Sequence, residues 1–282
     1  MKLTDEMKVI IGIIILIGIL CFYRWWCISK PHECNNKHIN IYTMISENFG
    51  DGINKVLWEN LTQNKIINYK SELHYITTGS IMCLVNNKSI IFGTGFISKN
   101  GDLGGGNYRS ISNIKHQIPH KIIAVRGPLS RQKMLDFNIE CPENYGDPLL
   151  LMPCLNNNYT NIEENIIGII PHYIDRNNHN YKLLKSNLEK ESYNVKYIDI
   201  SVGSNHKKII DNINKCKYII SSSLHGVMMG IVYKKKTIFL EFSDKVIGNG
   251  FKFEDFFKSI NITYKNINKY DIGILDNIIN VN

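Results

Sequence analysis

Short β-branched runs alternate with amphipathic stretches along most of the chain, most clearly in its C-terminal half. The unbroken apolar run "NIIGII" (165–170) predicts a buried strand. "YKLLKSNLEKES" (181–192) spaces Leu183, Leu184 and Leu188 as a helix does, and "VKYIDI" (195–200) reads as a strand again. In "HKKIIDNINKCK" (206–217), Ile209, Ile210, Ile213 and Cys216 share one helical face. "YIIS" (218–221), "VMMGIVY" (227–233) and "TIFLEF" (237–242) continue as strand, short helix and strand. The N-terminal half follows the same rhythm. "INIYTMI" (39–45), "LHYIT", "SIIFG" and "KIIAV" read as strands, and "GINKVLWENL" (52–61) and "LSRQKMLDF" (129–137) as helices. Repeated β-α-β units with continuous apolar strands imply parallel sheets covered on both faces. With polar "NNNYTN" (156–161) between them, the expected fold is α/β, two Rossmann-like halves facing a cleft, residues 39–157 and 158–282.

The pattern differs before residue 39. Val9 to Tyr23, "VIIGIIILIGILCFY", carries no charge, and Trp25 and Trp26 follow Arg24. A spanning helix needs roughly 20 apolar residues, with aromatic residues favoured at the interface. Residues 1–28 are therefore expected to be a single N-terminal transmembrane anchor, and 29–38, "SKPHECNNKH", a polar stalk. Bulky residues follow the run, where a cleaved leader would have small ones. The expected location is a single-pass membrane protein with its soluble part in a secretory lumen, its orientation open. Sequons at Asn60, Asn87, Asn158 and Asn261 permit glycosylation there.

Composition changes the picture little. The formal net charge is +8, but only five of the 33 basic residues are arginine. The charge is unclustered apart from "KKK" (234–236), read as a solvated turn, so nucleic acid is not an expected partner. Of seven cysteines, Cys21 and Cys27 belong to the expected anchor, and the other five are scattered and odd in number, implying no complete disulfide framework and no metal cluster.

In open α/β sheets, ligands lie beyond the carboxyl ends of strands, and the candidate chemistry falls there. "SSSLHG" follows strand 218–221 and opens a helix. Its unpaired N–H groups suit an anion, with Ser222 and Ser223 as caps or donors and Gly226 permitting close approach. His225 there is expected to be neutral until an anion arrives and stabilises the imidazolium. The loops "NFGDGIN" (48–54) and "FGTGF" (92–96) supply Gly50, Asp51, Gly52, Gly93 and Gly95. "VRGPLSR" (125–131) puts Arg126 at a strand end, where a guanidinium grips a carboxylate or phosphate. His172 follows strand 165–170 in the same way.

These loops, in this order, resemble the polysaccharide pyruvyl transferase family, and most closely its exopolysaccharide branch. The matching stretches are "NFGDGIN", "IIFGTGF", "AVRGPLSRQKML", "YGDPLLLMP", "IGIIPHY", "CKYIISSSLHGVMMGIVY" and "GNGFKFEDFFKSI", spanning the chain from about residue 38 onward. The resemblance implies a GT-B-like fold. It also implies transfer of the enolpyruvyl group of phosphoenolpyruvate onto two hydroxyls of a sugar, giving a pyruvate ketal and phosphate. The family's R-L-H tripeptide reads Ser223-Leu224-His225 here, so its histidine is kept and its arginine is not. Arg126, Ser130 and His172 match family positions, and Lys252 in "FKF" is the expected substitute cation. Phosphoenolpyruvate enters as co-substrate, with no cofactor and no metal. In this scheme His225 protonates the enolpyruvyl C3 and Asp51 serves as the hydroxyl base. Two alternatives stay open on these residues: a GT-B glycosyltransferase using a nucleotide sugar, and an inactive membrane-tethered glycan-binding protein.

Overall fold

The computed structural model describes residues 38–44, 48–99, 118–155, 165–201, 205–263, 267 and 270–278. The expected anchor, almost all of the stalk and the 157/158 boundary lie outside them. Among the described residues, no helix is long and apolar enough to cross a membrane.

Two parallel sheets carry the fold. The first is ordered β2-β1-β3-β4-β5, from β1 (His38–Tyr42), β2 (Lys65–Ile67), β3 (His74–Ile76), β4 (Ser89–Phe92) and β5 (Lys121–Ala124). The second is ordered β7-β6-β8-β9, from β6 (Ile166–Ile170), β7 (Asn194–Tyr197), β8 (Tyr218–Ser221) and β9 (Lys236–Phe239). The central strand β6 is buried at every position, as its unbroken apolar run requires. The edge strand β7 is short, with Lys196 in it, which blunts an open edge. Strands 39–45, 195–200 and 237–242 were expected to be longer. They stop at Tyr42, Tyr197 and Phe239, although the Ile198 and Leu240 N–H groups still donate to the neighbouring strands, to Ile169 and Ser221.

Helix α1 (Phe49–Thr62) follows β1, and α2 (Pro128–Asp136) follows β5 with proline in its first turn. In the second half, α3 (His179–Lys190), α4 (His206–Lys215) and α5 (Leu224–Val232) connect successive strands, and α6 (Phe251–Ser259) comes after β9. Asn178 caps α3 by accepting from the Asn180 N–H, and Asn205 caps α4. On α3, Tyr181, Leu184 and Leu188 are buried, whereas Leu183 lies on the outer face. "KKK" is a solvated turn only in part: Lys234 and Lys236 are exposed, and Lys235 is not. Lys235 is buried and its ammonium donates to the Asn214 carbonyl at 2.8 Å, holding the entry to β9 against the end of α4.

The two halves share their cores. Phe49, Ile53 and Leu57 of α1 pack with Ile198, Ile210, Val227 and Met228 of the second half. Each such buried side chain contributes about 1.5–3 kcal/mol. The Phe49 N–H also donates to the Ile200 carbonyl at 2.8 Å. In return, Phe251 of α6 packs with Ile91, Val125 and Met134 of the first half.

Candidate active site

Each sheet has a crevice where its strand order reverses, between β1 and β3 and between β6 and β8. Such switch points are where open α/β sheets bind ligands. The loops after β1 and β3 carry Asp51, Thr78 and Gly79, and those after β6 and β8 carry His172 and His225. The two crevices abut. A Cβ built on Gly50 would overlap the His225 ring, so the absence of a side chain at 50 is what lets the two halves meet there. Gly50, Asp51 and Gly52 form the first turn of α1, not the tight loop expected of them. They are helical because Asn48 is extended and its carbonyl accepts from the Asp51 and Gly52 N–H groups.

Three basic side chains converge at this junction. His225, His172 and Lys252 are all buried. Burial, then the charges of Lys252 and Arg126, pushes His225 down to about 3. Burial, then Lys252 and His225, pushes His172 to about the same value. Lys252 falls to about 8, through burial and the Arg126 charge, with Glu241, Asp175 and Asp51 opposing. Near neutral pH the junction therefore holds an ammonium and two neutral imidazoles. The buried Nε2 of His225 has no hydrogen-bond partner. Among the described residues, no hydrogen bond or ion pair ties the Lys252 ammonium either; it lies over the Phe253 ring at 5.4 Å.

The serines act differently from expectation. Ser223 occupies the N-cap of α5 without a side-chain cap bond. The first N–H groups of that helix therefore have no side-chain acceptor at the cap. Ser222 is fully used: its hydroxyl donates to Asp175 Oδ2 at 2.8 Å and accepts from the His172 N–H at 2.8 Å. Asp175 also accepts from the Ser243 hydroxyl. Leu224 is a core residue. Gly226 admits no ligand, because Ser221 Oγ and Ile170 fill the space a side chain would take. It allows α5 to lie close on β6 and β8.

Arg126 is the main departure. It is fully buried and its guanidinium is committed. Nε pairs with Asp255 Oδ2 at 3.0 Å, Nη1 donates to Ser80 Oγ at 2.6 Å, and Nη2 donates to the Phe96 carbonyl. Ser130 joins the cluster, donating its N–H to Asp255 Oδ1 at 2.9 Å and its hydroxyl to Oδ2 at 2.6 Å. Gly95 makes room for the guanidinium and Gly127 for the Asp255 backbone. Gly93, at φ +94°, lies against Pro148 and the Gly146 carbonyl. Arg126 and Ser130 thus hold α6, and the Arg126 charge still acts on His225 and Lys252 at the junction. Asp255 lies three residues after Lys252, one turn along the same helix face. The cluster fixes the element that presents Lys252.

Sequence reasoning missed Asp175, Asp255 and Glu241. Asp255 sits inside the quoted "FKFEDF", and Asp175 three residues after His172, but neither has a local signal for its distant partner.

The family profile described as polysaccharide pyruvyl transferase matches residues 48–244. No curated protein matches the chain. A solved structure of a functionally uncharacterised protein from Klebsiella pneumoniae is similar at 13% identity and a TM-score of 0.43, over 86% of this chain and 92% of that one. The profile spans both crevices, from the first turn of α1 to the segment after β9, and the chain belongs to the polysaccharide pyruvyl transferase family.

Proposed function

We propose that the junction binds phosphoenolpyruvate and transfers its enolpyruvyl group to a glycan as a pyruvate ketal. The observation that carries this reading is the buried Lys252 ammonium beside an unpartnered His225 Nε2, at a helix N-terminus whose cap serine makes no cap bond. An anion there gains a cation and oriented N–H groups. A bound phosphate also raises the low His225 pKa, so the imidazolium forms when donor is present. That proton goes to C3, which becomes the methyl group, and the positive charge develops at C2. A sugar hydroxyl oxygen attacks C2 and gives its proton to Asp51. The C2–O bond to phosphate breaks, and a second hydroxyl of the same sugar attacks C2 and closes the ketal, its proton passing to the departing phosphate. His172, whose backbone N–H donates to Ser222 and whose Nδ1 accepts from the Ile174 N–H, lines the same site as a second imidazole.

General acid catalysis is worth about 10²–10⁴-fold. His225→Gln is expected to lower turnover by that factor while phosphoenolpyruvate still raises the melting temperature. In deuterated water, the wild-type product should carry solvent deuterium in its methyl group. A near-wild-type rate for His225→Gln would remove it as the acid and shift that role to His172. Release of nucleotide from a nucleotide sugar, with none of phosphate from phosphoenolpyruvate, would overturn the reading altogether.

A further inference from the structure

Next to the basic junction lies a second recess of quite different chemistry. It has a volume of about 490 Å³, within the roughly 300–1,000 Å³ of small-molecule sites. Asn178 and Asn180 at the start of α3 form part of its lining, with residues 241–245 after β9 and Tyr270. It thus opens at the carboxyl-end edge of the second sheet, the edge that carries His172 and His225. Asp175 stands between the two. One of its oxygens accepts from Ser243 in the recess, and the other accepts from Ser222, which holds His172. Glu241 likewise lines the recess and acts on the Lys252 charge.

The walls are preset. Asn180 Nδ2 donates to the Phe242 carbonyl at 2.9 Å, and the Tyr270 hydroxyl donates to the Glu241 carbonyl at 3.0 Å. Phe242 and Tyr270 stack at 6.3 Å between ring centroids. The charged residues are Glu241, Asp244 and Lys245, one carboxylate in excess. A phosphate or carboxylate would meet repulsion here. A neutral compound rich in hydroxyls would instead find carboxylate and amide oxygens to accept its protons, and an aromatic ring for its C–H face.

We propose that this recess is the acceptor subsite, holding a neutral hexose of the glycan. The inference rests on the reading of the junction as the donor site. The charge then divides at Asp175: the anionic donor lies on the Lys252 side and the neutral acceptor ring on the other, so the acceptor's reacting hydroxyls must extend past Asp175 to meet the donor and Asp51.

The test uses the full-length protein and the methyl pyranosides of glucose, galactose and mannose, titrated by ligand-observed NMR. Asp244→Trp and Lys245→Trp place a large ring at two exposed lining positions. At least one glycoside is expected to bind the wild type and to lose tenfold or more in affinity in both variants. The melting-temperature shift given by phosphoenolpyruvate should stay as in the wild type, which also reports that the variants are folded. Unchanged glycoside affinity in both variants, or no glycoside binding to the wild type, overturns the proposal while leaving the donor site intact. Glycoside binding that the tryptophans block, without any effect of phosphoenolpyruvate, upholds the sugar subsite and sinks the donor reading.

Discussion

Arg126 and Asp255 form a buried ion pair, Nε to Oδ2 at 3.0 Å, between residues 129 positions apart in the chain. Arg126 follows β5 of the first half, and Asp255 belongs to α6, which returns from the second. The pair therefore couples the halves' packing to the placement of Lys252. Removing one partner leaves the other charged in a dry interior, at a typical cost of about 3–5 kcal/mol. Arg126→Ala and Asp255→Asn are both expected to unfold at markedly lower urea concentration. The double change Arg126→Met with Asp255→Leu should recover much of that loss, since apolar residues can replace a buried pair. It should still lose the phosphoenolpyruvate-induced melting shift, because α6 is no longer locked by directional bonds. Wild-type donor binding in the double variant would show that the pair serves stability alone.

What could be read from the chain follows from the range of the forces involved. Strands such as "NIIGII" and helices such as 206–215 announce themselves because their burial sets a local period. The edge-of-strand rule placed His172, His225 and Asp51 at crevices, since β-α connections alone decide which loops lie there. Arg126 was correctly put at a strand end, but its use was not legible. Only the tertiary fold brings Asp255, Ser80 and the Phe96 carbonyl around it. The glycines misled for a similar reason. Gly226 suggests room for a ligand, and that room is filled by Ser221 Oγ and Ile170; Gly50, expected in a loop, lies in α1 against the His225 ring. Lys235 looked solvated because one long side chain can find a buried carbonyl that no neighbour in sequence predicts.

Gly50 offers a sharp test of the contact between the crevices. Alanine is the better helix former by roughly 1 kcal/mol, so Gly50→Ala favours α1 taken alone. Its methyl group would nevertheless overlap the His225 ring. The ring must swing away or the halves must part. Transferase turnover is expected to fall at least tenfold, approaching the deficit of His225→Gln, and combining the two changes should cost little beyond either alone. Gly52→Ala, two residues further along the helix, is the control and should retain far more activity. Equal activity in the two alanine variants would show that the His225 ring is not confined by α1.

Lys252 predicts opposite pH trends for binding and for stability. Its pKa is lowered to about 8 in the folded protein from an ordinary 10.5. Between those values the unfolded chain binds more protons than the folded one. The burial cost is therefore fully present below pH 8 and is relieved as pH rises, by about 1.4 kcal/mol per unit. Over the same range the ammonium that attracts the donor is disappearing. The association constant for phosphoenolpyruvate should fall towards tenfold per pH unit above about 8. Other groups titrate in this window, Cys141 among them at about 11, so the quantity to measure is the difference between wild type and Lys252→Met. That difference in unfolding free energy should shrink as pH rises from 8 to 9.5. Lys252→Arg should retain donor binding across the window, because a guanidinium stays charged. Donor affinity that declines equally in wild type and Lys252→Arg would place the titrating group elsewhere in the site.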